Sequence, residues 1–335
     1  MTQHTWLIAT GVLATSLTIA GCDTRPQDAA PQSAPATSPP ATPAPAKSGF
    51  AEVGGARHHY ELRGDLKSGK TPLLLLHGSF MSAEAMAPFA ERFAQTRPVI
   101  ALDARGHGRT PDIAGPMTYE AMADDVAGVL AALGVANADV LGYSMGGNTA
   151  AVLALRHPER VGKLVMMSAP FNKEGWYPDV AKSFADWKPD MLAGSGLEAV
   201  YRRLSPAPDS LPALLIKHRA QESAPYGLSD AQVRGLTAKT MILVGDADGV
   251  QLDYAVRMFM LRGGVDREAA MKGMLTAPPR ARLAILPGTS HIGMSARPQL
   301  VVDVVTPFLD DELPPLPPDF LQPGPGKVPP AAPKQ

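Results

Sequence analysis

Short, largely apolar runs punctuate the middle of this chain: Leu73–Leu76, Val99–Leu102, and residues 163–167, 240–244 and 282–286. Runs that are apolar without strict alternation are what a parallel strand covered on both faces requires. Residues 50–53 and 58–63 are shorter and more mixed, and are expected to form an antiparallel edge. Between the runs the apolar spacing lengthens to helical periods over 82–94, 118–133, Leu252–Leu261 and 299–309. Thr118 is placed to cap the second of these helices, with Glu120 in its first turn. The stretch after Ser144 carries Gly146, Gly147, Ala150, Ala151 and Ala154, small residues that let a helix lie close on a sheet. Strands alternating with helices predict an α/β fold with a mostly parallel sheet.

One interval breaks the rhythm. Residues 171–235 are too many for a loop in a compact domain, and they hold Trp176, Tyr177, Phe184 and Trp187. Those aromatics either line an apolar pocket or dock the inserted segment onto the core.

The 335 residues divide unevenly. Residues 1–21 contain an apolar run too short for a comfortable membrane span. It ends Leu17-Thr18-Ile19-Ala20-Gly21-Cys22, which resembles a bacterial lipobox, although residues 1–6 carry no Lys or Arg. The resemblance implies a signal peptide over 1–21 and a lipid-modified N-terminus at Cys22, the chain's only cysteine. Residues 22–47 are rich in Pro, Ala and Ser and cannot bury enough surface to offset their ordering cost. They read as a tether reaching roughly 75 Å in polyproline geometry. Residues 48–312 are the expected globular domain, and 313–335 read as a Pro-rich disordered tail. A localisation in the cell envelope, anchored to a membrane through Cys22, follows as an expectation.

The candidate chemistry lies at the C-terminal ends of the apolar runs. The first ends in His77-Gly78-Ser79, the second in Asp103-Ala104-Arg105-Gly106-His107-Gly108, and Val140-Leu141 leads into Gly142-Tyr143-Ser144-Met145-Gly146. A serine between two glycines at a strand-to-helix turn is a nucleophile elbow, because the turn leaves no room for side chains two residues either side. Gly245-Asp246-Ala247-Asp248 follows the 240–244 run, and His291 follows the last one. A serine hydroxyl becomes a competent nucleophile only when a base takes its proton, and an imidazole does so near neutral pH.

These motifs, in this order and at these separations, resemble the α/β-hydrolase family over about residues 50–310. The resemblance implies an eight-stranded sheet with helices on both faces and a helical cap inserted after strand 6, over about 171–235. It also implies a triad of Ser144, an acid and His291. Family members with G-x-x-D at the turn after strand 7 use its second carboxylate, which points to Asp248, with Asp246 as the alternative. The other acid position, after strand 6, reads Ser168-Ala169-Pro170 and offers no carboxylate. The backbone N–H groups of Ser79 and Met145 are the expected oxyanion donors. His77 and His107 are expected to brace loops, His157 to end a helix, and His58, His59 and His218 to lie in loops or on the surface.

The activity this implies is cofactor-independent hydrolysis of a small or medium carboxylic ester through an acyl-enzyme. The same triad also serves C–C bond hydrolysis, aminopeptidase and perhydrolase chemistry in relatives, and some relatives are binding modules without catalysis. A net charge of −1 offers no basic field for nucleic acid. No histidine pair has metal-ligand spacing, and a single cysteine cannot build a thiolate zinc site.

Overall fold

A computed structural model describes residues 46–316. The expected signal peptide, Cys22, nearly all of the tether and most of the Pro-rich tail lie outside them. Eight strands among the described residues form one sheet: β1 (Lys47–Val53), β2 (Ala56–Arg63), β3 (Leu73–Leu76), β4 (Val99–Leu102), β5 (Ala138–Tyr143), β6 (Val161–Met167), β7 (Lys239–Ala247) and β8 (Ala281–Ser290). Their spatial order is β1-β2-β4-β3-β5-β6-β7-β8. The β1–β2 and β2–β4 pairings are antiparallel and every other pairing is parallel.

The apolar runs are explained by two covered faces. Leu74, Leu76, Ile100, Leu102 and Val140 pack into one core, while Leu73, Leu75, Val99, Ala101 and Leu141 pack into the other. Neighbouring residues of a strand point to opposite faces, so a strand covered twice must be apolar throughout. Helices α1 (Ala87–Phe93) and α10 (Pro298–Leu309) cover the second face through Phe89, Phe93, Val301, Val305 and Phe308. Helices α2 (Tyr119–Ala132), α3 (Met145–Arg156) and α8 (Leu252–Leu261) cover the first, with α9 (Arg267–Lys272) between α8 and β8 in sequence.

Four further helices, α4 (Pro178–Ser183), α5 (Gly196–Leu204), α6 (Leu211–Ser223) and α7 (Asp230–Gly235), occupy the interval between β6 and β7. This is the cap. No helix among the described residues is long and apolar enough to cross a membrane.

Two expectations needed revision. The helix over 82–94 is split into a 3₁₀ turn at Ala83–Met86 and then α1, because Pro88 at the start of α1 has no N–H to continue the ladder. His58, His59 and His218 are fully buried instead of superficial. His58 and His59 are successive residues of β2 and face opposite covered sides. His59 accounts for its polarity by bonding Asp103 at 2.8 Å and Ser48 at 2.7 Å. His218, on α6, bonds His107 Nε2 at 2.8 Å.

Candidate active site

Ser144 sits between β5 and α3 with φ 53° and ψ −120°, a conformation that only a tight surrounding structure sustains. The glycines around it are sterically required. A Cβ on Gly142 would lie 2.1 Å from the Gly146 carbonyl oxygen, and one on Gly146 would lie 2.3 Å from that of Leu76. The Ser144 N–H donates to Met167 O at 2.9 Å, which registers the elbow against the end of β6.

The three distant residues of the expected triad converge. His291 Nε2 lies 3.1 Å from Ser144 Oγ, and His291 Nδ1 lies 2.9 Å from Asp248 Oδ1. With Nδ1–H donating to the carboxylate, Nε2 is the free base facing the serine hydroxyl. The Asp248 side chain is fully buried. Burial works against its charge, but bonds from His291, Ser168 and the Val250 N–H outweigh this and hold its pKa below the usual carboxylate range. Asp246 is the turn residue: its exposed carboxylate accepts from Gly288 N at 2.9 Å and Thr289 N at 3.0 Å, steadying the loop that delivers His291.

The histidine is held from several sides. Tyr143 Oη donates to the His291 carbonyl at 2.9 Å, and its ring stacks on the imidazole at 5.4 Å. Trp176 meets the other rings edge-on, at 5.5 Å from His291 and 5.6 Å from Phe184. Phe184 then packs on Trp187, and Trp187 on Phe80, each with centroids 5.2 Å apart. An arc of cap aromatics therefore runs from the imidazole to the residue after Ser79. Tyr177 is no part of this wall, being 44% exposed.

The expected oxyanion donors come from the loop after β3 and the start of α3. Met145 is the first residue of α3, where an amide has no partner within the helix and the helix dipole favours negative charge. Ser79 makes no backbone hydrogen bond through its N–H among the described residues. Phe80 next to it has φ 62° and is buried, its ring held between Trp187 and, at 4.6 Å, His218.

The remaining histidines brace the frame. His77 donates from Nδ1 to Gly78 O at 2.8 Å and accepts from Ala104 N at 3.1 Å, tying the β3 and β4 loops together. His107 donates to Arg105 O at 2.9 Å, so its Nε2 accepts the N–H of His218. Burial pushes all three pKa values down, that of His218 to about 3, which leaves them neutral. His157 caps the end of α3 and bonds Asp124 at 2.8 Å. No group of three or more His, Cys, Asp or Glu side chains among the described residues could hold a metal ion.

Three supporting residues escaped the motif reading: Tyr143, Trp176 as a contact of His291, and Ser168. Only Tyr143 lay inside a recognised motif, and its variable position there carries no assigned role.

Comparison with known proteins agrees with this architecture. A family model for the alpha/beta hydrolase fold matches residues 71–197. The chain has the α/β-hydrolase fold. It is 38% identical over 145 residues to a putative carbamate hydrolase, RutD, of Caulobacter vibrioides, covering 42% of this chain and 51% of that protein. The chain thus spans about half the length of the curated relatives it matches first. It is 26% identical over 262 residues to the mouse sn-1-specific diacylglycerol lipase ABHD11, covering 71% of this chain and 80% of the relative. The enol-lactonase of Burkholderia xenovorans superposes with a TM-score of 0.60 at 21% identity, over 78% of this chain and 100% of its own.

Proposed function

We propose that the protein is a cofactor-independent serine hydrolase of small or medium carboxylic esters. The observation that carries this reading is the relay from Ser144 through His291 to Asp248, with separations of 3.1 and 2.9 Å. Ser144 Oγ attacks the ester carbonyl carbon while His291 Nε2 takes its proton. The resulting imidazolium is stabilised by Asp248. Negative charge on the carbonyl oxygen is met by the N–H groups of Ser79 and Met145, each worth on the order of a hundred- to a thousand-fold in turnover. Collapse expels the alcohol, which takes the proton from His291, leaving an acyl group on Ser144. Water then attacks the acyl carbon, gives a proton to His291, and releases the carboxylic acid as Ser144 recovers its hydrogen.

The aromatic arc Trp176–Phe184–Trp187–Phe80 favours an apolar acyl or alcohol group. A fluorophosphonate probe should label the intact protein and leave Ser144→Ala unlabelled; labelling that persists in the variant overturns the assignment. Hydrolysis of p-nitrophenyl esters of graded chain length separates catalysis from a binding role, since a binding module turns over none of them. The panel should include a carbamate, because one relative is named for that substrate and a carbamate carbonyl accepts the same attack.

The proposal extends to location. Acylation of Cys22 after removal of residues 1–21 would tether the enzyme to a bacterial envelope membrane. Metabolic labelling with an alkyne fatty acid should mark the wild type and not Cys22→Ala.

A further inference from the structure

We propose that Ser168, the residue immediately after β6, is a positioning residue that fixes the orientation and basicity of the Asp248 carboxylate; this rests on the triad reading above. Ser168 is fully buried, and its hydroxyl donates to Asp248 Oδ2 at 2.5 Å. The other oxygen, Oδ1, faces His291 Nδ1 at 2.9 Å and the Val250 N–H at 3.3 Å. Each carboxylate oxygen thus has its own strong donor, so the group cannot rotate to exchange the oxygen that His291 uses. A buried carboxylate is costly unless its lone pairs are met, and Ser168 is the short-range donor to the oxygen that His291 leaves, with the Gly245 N–H beside it at 3.5 Å.

The backbone makes the arrangement more telling. Ser168 adopts φ 53°, uncommon for a residue with a side chain. Its N–H donates to Leu243 O at 2.8 Å, locking it between β6 and β7. The preceding residue, Met167, accepts the N–H of Ser144 at 2.9 Å. Adjacent residues at one strand end therefore register the nucleophile and the acid against each other. The titratable groups interacting with Asp248 are His291, from the loop after β8, and Tyr143, from the end of β5.

Without the hydroxyl, Asp248 would hold a proton more readily and would also favour the imidazolium of its partner more strongly. Both effects demand a higher pH before the serine meets a neutral base beside an ionised acid. Ester kinetics on Ser168→Ala should show kcat roughly 10- to 100-fold lower with KM little changed, as small misplacements of a reacting group do. The acid limb of kcat/KM should move up by about half a pH unit or more. Ser168→Cys keeps the volume with a weaker donor, so it should fold and fall between wild type and Ala in both readouts. Wild-type kcat and an unmoved acid limb in both variants would overturn the inference, as would a loss of kcat with no movement of that limb. Ser144→Ala, assayed alongside, tests the triad itself: if it keeps turning over ester, the function is wrong, whereas if it is dead and Ser168 variants are normal, only this inference fails.

Discussion

Trp176 and His291 meet edge to face with ring centroids 5.5 Å apart, while the Trp176 indole N–H donates to Tyr226 Oη at 2.7 Å. One cap residue thus touches the base and ties itself to the α6–α7 connection. Trp176→Phe keeps a smaller aromatic ring and drops the donor, and should cost about 1–3 kcal/mol of stability with ester kcat/KM nearly unchanged. Trp176→Ala leaves a cavity beside the imidazole and should cost about 3–5 kcal/mol, with a clear fall in kcat/KM. Denaturant unfolding and ester kinetics on the pair check both statements, and an Ala variant equal to wild type would refute them.

The two carboxylates of the β7 turn should separate sharply. Asp248→Asn removes the charge that stabilises the imidazolium and can turn an amide N–H toward His291 Nδ1, favouring the wrong tautomer, and should lower kcat about 10³- to 10⁴-fold. Asp246→Asn weakens only the bonds to Gly288 and Thr289, so its kcat should stay within about ten-fold of wild type. Comparable losses in the two variants would reopen the choice of acid.

Two buried carboxylates should impose opposite pH dependences on stability. Burial disfavours the Asp103 charge, but His59 and the N–H groups of Arg109 and Ala83 outweigh it and lower its pKa. The unfolded chain then binds the proton first, so the stabilisation is complete above the ordinary aspartate value and fades as pH falls through the lowered one. Asp103→Asn should cost about 3–5 kcal/mol at neutral pH and less in acid. Glu222 is the reverse: burial raises its pKa, with Tyr119 Oη donating to it at 2.5 Å. The folded protein binds that proton first, so stability declines as pH rises from the ordinary glutamate value toward the raised one. Glu222→Gln should lack this decline. Thermal unfolding from about pH 2 to about pH 8 distinguishes the two. The Asp103 difference should be confined to the acid end, below the ordinary aspartate value, and the Glu222 difference to the range above the ordinary glutamate value. Parallel profiles would contradict both.

Gly146→Ala should prevent normal folding or cost about 3 kcal/mol, because its Cβ would meet the Leu76 and His77 carbonyl oxygens at 2.3 and 2.7 Å. Gly196 supplies the contrast: it opens α5 with nothing within 4 Å of an added Cβ. Gly196→Ala should raise stability by about 0.5 kcal/mol. Soluble yield and denaturant midpoints would show it.

The strands and the converging residues were legible because their cause is local. A strand covered on both faces must read as an apolar run, and a sharp elbow must be flanked by glycines. Ser168 was visible only as the absence of a carboxylate; its bond to Asp248 joins residues 80 positions apart, and no periodicity encodes that. The buried histidines misled for a related reason. A polar residue in a strand suggests solvent until a partner such as Asp103, 44 residues from His59, is brought to it. Whether the cap aromatics line the site or dock the cap was equally undecidable from spacing; Trp176 does both, touching His291 and bonding Tyr226, while Trp187 packs on Phe80 and Phe184.

Phe80, with its left-handed backbone, is gripped by Trp187 and His218 on segments that belong to the cap. The strain stored beside Ser79 is thus restrained by an insertion remote in sequence. Shortening this protein to its sheet and flanking helices would not leave a slower minimal enzyme. On the proposed reading, it would leave Ser144 and His291 beside a Ser79 loop that has lost its clasp.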